Sequence, residues 1–363
     1  MKILIVIPTL SSGGTERFAS NLANYFSYKD HKVKILKFEN KEPFYDLNSD
    51  IEVVSVGYSI NRKNRIYSIM SIAINVLYKS TRFVRHIVKN SQPDIVIPFL
   101  PQADIAVYLS GMRSEKFKII CSERNDPTKR SKVMQIILKK IYRNADILVC
   151  QSKKVKEFYN CVSNDKKIVI ANPIDPNLIP TQVEENSCPV IVGVGRLDYQ
   201  KNFSLLIDSF SVALKYIPPE TQLIIYGEGR LREKLESQVR ELNLIDNVKF
   251  PGICNDLFNK IKDASLFVMS SDYEGFPNAL LEAMVLGLPV ISTDFPTGTA
   301  RELITIENGR LVEVGNNVQM KNAIVELMND TKTRKKMREN NRRMLEKFTI
   351  DNIAKKWNEL IMN

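Results

Sequence analysis

Two glutamates eight positions apart, Glu274 and Glu282, follow a strand-like run in the second half of the chain. Glu274 belongs to the loop after the apolar run Leu266–Met269, and Glu282 lies near the second turn of a helix whose first turn suits Pro277. Ionised carboxylates accept hydrogen bonds from vicinal hydroxyls such as those of a ribose, and the N–H groups of a first helical turn bind phosphate. We therefore expect contacts to a phosphorylated, hydroxyl-rich ligand from both glutamates and from Gly275, Phe276, Pro277, Asn278, Ala279 and Leu280.

A second loop, Gly195–Asn202, carries cations. It follows the strand-like run Val190–Val194 and places Arg196 and Lys201 around a helix start. A forked guanidinium and a compact ammonium together suit a diphosphate, and we expect both side chains to be exposed. A solvated loop without a ligand is the alternative. Gly227, at the end of the next strand, is expected to face the same ligand.

The first strand-like run of the chain ends in a loop with two adjacent glycines, Gly13 and Gly14. Ligands of open α/β sheets bind at the carboxyl ends of strands, and glycine lets the backbone approach them closely. The helix that follows presents its N-terminus, which favours an anion. The spacing is not GxGxxG, so a dinucleotide site is poorly supported, and a tight turn is the alternative interpretation.

Strand-like runs alternate with helical segments throughout the chain, which predicts doubly wound parallel sheets of the α/β class. The pattern restarts near Val190, after a polar segment at 181–187. We therefore predict two Rossmann-like domains, residues 1–180 and 181–345, and a C-terminal helix, 346–363, that crosses back to the first domain. The predicted strands are Ile3–Ile7, Val33–Phe38, Ile51–Val56, Ile95–Phe99, Lys118–Cys121, Ile147–Cys150, Ile168–Ala171, Val190–Val194, Gln222–Tyr226, Val248–Phe250, Leu266–Met269 and Val290–Ser292.

The composition excludes several classes of protein. In 363 residues, 44% are hydrophobic and 26% charged, which is typical of a globular protein and excludes intrinsic disorder. Five cysteines without a CxxC pair and two distant histidines argue against a disulfide scaffold and a zinc site, and the chain has no DxD triplet for a metal. We expect no metal and no other cofactor. Without a signal peptide or membrane-spanning segment in the sequence, we expect a cytoplasmic protein.

Charge is distributed unevenly: residues 1–180 carry +13, residues 181–330 carry −8, and residues 331–363 carry +6. Two stretches of the first half, 61–93 and 127–143, contain Lys and Arg but no Asp or Glu. Both carry apolar residues at helical spacing, among them Val133, Ile136 and Ile137. A basic amphipathic helix binds an anionic membrane or ligand. A core-facing apolar stripe with a solvated basic back is an equal alternative. Nucleic-acid binding lacks a supporting motif, and we expect none.

The chain resembles the retaining glycosyltransferases of the large family four, through Gly13-Gly14-Thr15-Glu16-Arg17, Gly195-Arg196-Leu197 with Lys201-Asn202, and the Glu274/Glu282 pair. The resemblance implies a GT-B fold, in which two Rossmann-like domains face a cleft. It is closest to bacterial enzymes that extend polyprenyl-diphosphate-linked sugars or assemble capsule and O-antigen. In this comparison Glu123, Arg124 and Asn125 form the acceptor-side loop, with Arg124 where many relatives carry a histidine. Arginine cannot serve as a base, so a role in holding the acceptor is expected.

The resemblance also implies the reaction. A hexose or N-acetylhexosamine would move from a UDP-sugar to a lipid-linked glycan with retention and without metal, on the inner face of the membrane. Arg196 and Lys201 would neutralise the leaving diphosphate, Glu274 would contact the donor sugar, and Glu282 would bind the ribose. Two other classes stay open: a GT-B nucleotide-sugar epimerase and a non-catalytic module that binds nucleotide sugars.

Overall fold

The computed structural model describes residues 1–11, 13–58, 75–111, 117–174, 179, 189–254 and 256–362. The chain divides into two compact units, which we call unit 1 (Met1–Pro173 with Ile350–Asn363) and unit 2 (Ile174–Thr349). The division predicted from the sequence placed its boundaries after residues 180 and 345. The polar segment 181–187 lies outside the described residues.

Unit 1 is built on a parallel sheet in the order β3-β2-β1-β4-β5-β6-β7. Ile5 in β1 pairs with Ile35 in β2 and with Ile97 in β4, so the middle of the sheet is aliphatic and buried. The elements are β1 (Lys2–Ile7), α1 (Gly14–Tyr28), β2 (Lys32–Glu39), β3 (Glu52–Tyr58), a π-helical turn (Asn75–Ser80), α2 (Thr81–Ser91), β4 (Ile95–Pro98), α3 (Pro101–Leu109), β5 (Lys118–Ser122), α4 (Lys132–Asn144), β6 (Ile147–Cys150), α5 (Lys153–Phe158) and β7 (Lys167–Val169).

Unit 2 repeats this topology, with a parallel sheet in the order β10-β9-β8-β11-β12-β13. Strand β13 was missed in the sequence because it is short and begins with Gly309. The elements are β8 (Val190–Val194), α6 (Phe203–Ala213), β9 (Gln222–Tyr226), α7 (Arg232–Glu241), β10 (Val248–Gly252), α8 (Leu257–Ile261), β11 (Leu266–Met269), α9 (Asn278–Val285), β12 (Val290–Thr293), α10 (Thr299–Leu303), β13 (Gly309–Val312), α11 (Asn317–Asn329), α12 (Thr331–Arg342) and α13 (Leu345–Phe348).

The predicted fold class is confirmed in both units, since each has the strand order of a doubly wound Rossmann-like sheet. Continuous apolar strands predicted this arrangement because helices cover both faces of a parallel sheet. No helix in the described part of the chain is long and apolar enough to span a membrane.

The C-terminal helix α14 (Ile350–Met362) packs on unit 1. The sequence predicted one helix over 346–363, whereas the structure has a break at Thr349 between α13 and α14. Trp357 is fully buried, with its ring centroid 5.7 Å from that of Phe18 and 6.3 Å from that of Phe99. Its burial therefore ties the end of the chain to α1 and to the end of β4.

The burial of apolar side chains in helix α4 disagrees with one interpretation of its sequence. Val133 and Ile136 are 67% and 68% exposed, whereas Leu138 and Ile141 are buried. The interpretation of a core-facing stripe is therefore wrong for the first turns of α4, which carry their apolar side chains on the surface. In the other basic stretch, residues 61–74 lie outside the described residues, and the remainder forms the π-helical turn and α2, in which Val84, Ile87 and Val88 are buried.

We expect Trp357→Ala to lower the free energy of unfolding of unit 1 by about 3–5 kcal/mol, since it removes a buried indole from a tight aromatic cluster. Met362→Ala, at an exposed side chain of the same helix, is the control and is expected to change it by less than about 0.5 kcal/mol. Denaturation in urea, followed by far-UV circular dichroism, measures both. Equal effects of the two substitutions would show that α14 contributes little to unit 1.

Candidate functional site

The order of strands in each sheet locates the candidate sites. In unit 2 the chain reverses direction across the sheet between β8 and β11, and in unit 1 it does so between β1 and β4. Open α/β sheets bind ligands at the carboxyl ends of the strands that flank such a reversal. The loops that follow β8 and β11 are those in which the sequence analysis found Lys201 and Glu274.

The centre of the unit 2 site is an ion pair between Lys201 and Glu274. Lys201 Nζ lies 2.6 Å from Glu274 Oε1, and the exposed fractions of the two side chains are 17% and 8%. The expectation that Lys201 is exposed is therefore wrong, because the loop after β11 covers its side chain. Taking two charges out of water is costly, and direct contact between them together with further hydrogen bonds offsets that cost.

Two further side chains hold the Glu274 carboxylate. Gln200 Nε2 donates to Glu274 Oε2 at 3.0 Å and to the backbone oxygen of Tyr273 at 3.0 Å. Ser271 Oγ donates to Glu274 Oε1 at 2.8 Å. Both carboxylate oxygens are thus engaged. The sequence analysis missed these residues, although each is within three positions of a residue that it had identified.

Threonines near the end of β12 fix the backbone of the same loop. Thr297 Oγ1 donates to the Glu274 carbonyl at 2.9 Å, and Thr299 Oγ1 donates to the Gly275 carbonyl at 3.3 Å. These contacts orient the peptide between Glu274 and the helix that follows. No motif in the sequence indicates them.

Arg196 differs from Lys201 in its setting. Its side chain is 76% exposed, and its Nη1 lies 3.5 Å from Asp198 Oδ2. The strand-end turn beside it requires glycine at position 227, since φ is +138° there and a Cβ would lie 1.9 Å from the Gly195 carbonyl oxygen. Arg196 therefore extends from a closely packed backbone and is accessible to an anion.

The predicted helix after Glu274 is present as α9, with Pro277 immediately before its first residue. Phe276 and Leu280 are buried, Leu280 completely, while Asn278 and Ala279 are partly exposed. Glu282 is 8% exposed. The structure therefore places all the predicted donor-binding residues of this segment within one loop and the start of one helix.

In unit 1, the two predicted glycines lie at the start of α1. Gly13 precedes the helix and Gly14 is its exposed first residue. A Cβ on Gly13 would lie 2.0 Å from Glu16 Oε2, so the Glu16 carboxylate folds back onto the helix N-terminus. Burial, with a smaller contribution from Glu39, raises the pKa of Glu16. The anion-binding end of α1 thus already holds a carboxyl group of its own chain.

The acceptor-side residues of unit 1 are mostly internal. Glu123 is 1% exposed and forms a forked ion pair with Arg130, in which Nη2 donates to Oε1 at 2.7 Å. Tyr159 also donates to Glu123, and the Asn125 N–H donates to Glu123 Oε1 at 3.0 Å. Glu123 therefore organises its own loop, and Asn125 has the exposed side chain of the predicted trio.

Arg124 lies in an aromatic environment, 5% exposed. Its guanidinium carbon is 3.7 Å from the Phe18 ring centroid and 5.6 Å from that of Trp357, and Nη1 donates to Asn172 Oδ1 at 2.5 Å. Burial lowers the pKa of Arg124 to about 9, which leaves it charged at neutral pH. In this structure the residue joins α1, its own loop and α14.

No group of three or more metal-ligating side chains occurs within the described residues. The chemistry that the unit 2 site offers is electrostatic. It has an exposed guanidinium, a fixed ammonium and a fixed carboxylate at the ends of two neighbouring strands, which suits an anionic leaving group attached to a polyol.

Comparison with known proteins agrees with this chemistry. Residues 12–178 match the family described as Glycosyltransferase Family 4, and residues 177–344 match Glycosyl transferases group 1. One relative is the GalNAc-alpha-(1->4)-GalNAc-alpha-(1->3)-diNAcBac-PP-undecaprenol alpha-1,4-N-acetyl-D-galactosaminyltransferase of Campylobacter jejuni, 26% identical over 99% of this chain and 98% of its own. Another is the amylovoran biosynthesis glycosyltransferase AmsD of Erwinia amylovora, 24% identical over 99% of both chains.

Solved structures with a similar fold are glycosyltransferases of the GT-B type. The sucrose-phosphate synthase of Thermosynechococcus elongatus superposes with a TM-score of 0.83 at 17% identity, over 99% of this chain and 98% of that one. Anabaena HepE in complex with UDP and glucose superposes with a TM-score of 0.78 at 19% identity, over 100% of this chain and 99% of that one. Since the two family matches together span residues 12–344, the chain belongs to the GT-B glycosyltransferases of family four.

Proposed function

We propose that this glycosyltransferase moves a hexose or N-acetylhexosamine from a UDP-sugar to a polyprenyl-diphosphate-linked glycan, with retention of configuration, in the synthesis of a bacterial surface polysaccharide or glycoconjugate. The observation that carries the proposal is the Lys201–Glu274 pair beside exposed Arg196 at the strand reversal of unit 2. The Campylobacter relative, which is named for transfer to an undecaprenyl-diphosphate-linked glycan, supports the acceptor class.

The reaction breaks the bond between the anomeric carbon and the diphosphate and forms one to an acceptor hydroxyl oxygen. Positive charge develops on the sugar and negative charge on the diphosphate, where Arg196 and Lys201 stabilise it. Because Gln200 and Ser271 hold Glu274, and Glu274 holds Lys201, the ammonium needs little reorganisation when charge develops. The acceptor attacks from the face that the diphosphate leaves, and its proton passes to a diphosphate oxygen.

The remaining donor contacts are those that the resemblance to family four implies. Glu274 meets the transferred sugar, Glu282 accepts from the ribose hydroxyls, and the N–H groups at the start of α9 bind phosphate oxygens. We further propose that Gly13 and Gly14 approach the diphosphate from unit 1. Binding there requires the Glu16 carboxylate to leave the start of α1, because two anions cannot share one helix N-terminus.

We expect Arg196→Ala and Lys201→Ala each to lower turnover by about 10²-fold or more, which corresponds to roughly 3 kcal/mol of transition-state stabilisation. Arg196→Ala should leave the stability of unit 2 unchanged because the side chain is exposed, whereas Lys201→Ala should also lower it because Glu274 then loses its cation. Lys234→Ala, an exposed lysine on α7, is the control.

The assay incubates the protein with UDP-sugars and a polyprenyl-diphosphate-linked glycan and identifies products by mass spectrometry. The proposal would be supported if the unsubstituted protein and Lys234→Ala both transfer the sugar while Arg196→Ala loses this activity. Epimerised UDP-sugar without transfer would indicate the epimerase, and binding without turnover would indicate the non-catalytic module.

We propose that transfer requires no divalent ion, since the two cations of the site supply the charge that a metal would bring to the diphosphate. Activity is therefore expected to be the same, within about twofold, in EDTA and in Mg²⁺ or Mn²⁺. Loss of activity in EDTA that either ion restores would contradict this.

We also propose that unit 1 attaches this cytoplasmic enzyme to the inner face of the cell membrane. The support is helix α4, which has no acidic residue and which exposes Val133 and Ile136 together with Lys132 and Lys140. Apolar side chains beside lysines on one helix suit the interface of an anionic bilayer, where each Lys or Arg contributes about 1 kcal/mol.

Reversal of Lys132, Lys139 and Lys140 to Glu is expected to weaken binding to phosphatidylglycerol-containing vesicles strongly and to leave UDP-sugar affinity intact. A matched control reverses Lys332, Lys335 and Lys336, three lysines of α12, and so makes the same change of net charge in unit 2. Vesicle sedimentation at rising salt measures both, since charges are screened over roughly 8–10 Å at physiological ionic strength. If both triple variants sediment alike, α4 is only a solvated surface.

A further inference from the structure

Unit 1 contains a cavity of about 330 Å³ between α3, β5 and α4. This volume is at the lower end of the range of ligand pockets, roughly 300–1,000 Å³. Leu109, which is 41% exposed, lies at its edge and shows where it opens to the surface. Most of its lining is apolar: Val107, Leu109, Ile119, Ile141 and Ala145.

The floor of the cavity carries Asp104, which is 1% exposed. Its Oδ2 accepts a hydrogen bond from the Tyr142 hydroxyl at 3.0 Å. Burial, with a smaller contribution from Glu123, raises the pKa of Asp104 well above its ordinary value, which favours the neutral carboxyl. The nearby Cys121 thiol is neutral for the same reason. An uncharged floor accommodates hydrocarbon and excludes an anionic group from the interior.

The mouth of the cavity is basic. Gly111 lines it, and a Cβ at that position would lie 3.4 Å from Arg85 Nη2. Arg85 Nε donates to the Ser110 carbonyl at 2.7 Å, which holds this exposed guanidinium at the edge of the cavity. Neither α2 nor α4 contains an acidic residue. On these two helices, every charged side chain that an anionic group outside the cavity could contact is therefore positive.

One stripe of α4 connects the surface with the cavity. Val133, Ile137 and Ile141 follow one another at intervals of four residues and share one side of the helix. Their exposed fractions fall from 67% through 38% to 4%, and Ile141 lines the cavity. An apolar chain that meets the exposed end of this stripe thus has a continuous apolar path inward.

We propose that this cavity takes up one acyl chain of an anionic membrane phospholipid, with the lipid phosphate at Arg85, an inference that rests on the membrane attachment proposed for unit 1. The occupant is an amphiphile because most of the buried lining is apolar while the mouth carries the guanidinium of Arg85. Attachment then includes a specific lipid contact in addition to the general attraction of lysines to the bilayer.

The test uses the full chain and lysophosphatidylglycerol with a photoreactive diazirine near the chain end, below its critical micelle concentration. We expect saturable labelling, one probe per protein, within residues 101–111 and 132–145. Leu109→Glu places a charge at the mouth and is expected to weaken labelling by about tenfold or more. Ile306→Glu, at a 72% exposed site in unit 2, is the matched control and should label like the unsubstituted protein.

A second variant, Val107→Phe, fills the cavity with hydrocarbon and should also abolish labelling. Circular dichroism of this variant checks that it is still folded. Labelling confined to other segments, equal labelling by the zwitterionic lysophosphatidylcholine, or stronger competition by a polyprenyl phosphate than by phosphatidylglycerol would each overturn the proposal. The measurement needs neither UDP-sugar nor acceptor, so its failure leaves sugar transfer unaffected. Failure of membrane attachment itself is detected separately, by vesicle sedimentation.

Discussion

The candidate sites of this chain depend on one constraint, the way in which parallel strands must be connected. Each parallel pair needs a crossover, so the carboxyl ends of all strands lie at one edge and helices cover both faces of the sheet. Where the strand order reverses, the two neighbouring loops diverge and leave a crevice. Unit 2 places Lys201 in one of these loops and Glu274 in the other, so residues 73 positions apart lie in contact.

The buried charged side chains have different kinds of partner in the two units. In unit 2, Glu274 has an ammonium on one side and neutral donors around it, a set that fixes the position of the carboxylate. In unit 1, the forked contact with Arg130 uses both oxygens of Glu123 within its own loop, whereas Arg124 lies against aromatic rings. Removing one partner of such a buried pair costs far more than the pair itself contributes. We therefore assign Glu123 and Arg124 mainly to the architecture of unit 1, and Asn125 to the surface.

The surface of unit 1 combines features that a solvated helix does not need. Exposed Val133 and Ile136 are not required for the core, which Leu138, Ile141 and Tyr142 already fill from the same helix. These exposed apolar side chains and their basic neighbours are the features on which the proposed attachment to an anionic membrane rests. The cavity behind this helix adds depth to what would otherwise be a flat contact.

The sequence by itself determined the fold class, most of the strands, and the loops that carry Arg196, Lys201 and Glu274. These features are local: apolar runs between helical segments define buried parallel strands, and glycines and charged residues at strand ends mark the loops. The short strand β13 was missed because its four residues lack a clear apolar pattern.

Only the tertiary structure decided which side chains meet. Gln200 donates to Glu274 across 74 positions, and Trp357 reaches α1 from the end of the chain. Likewise, the periodicity of α4 showed that it is amphipathic, but which apolar residues face the core depends on how the helix packs on its neighbours. Such contacts depend on the register and packing of elements distant in sequence, and no local pattern records them.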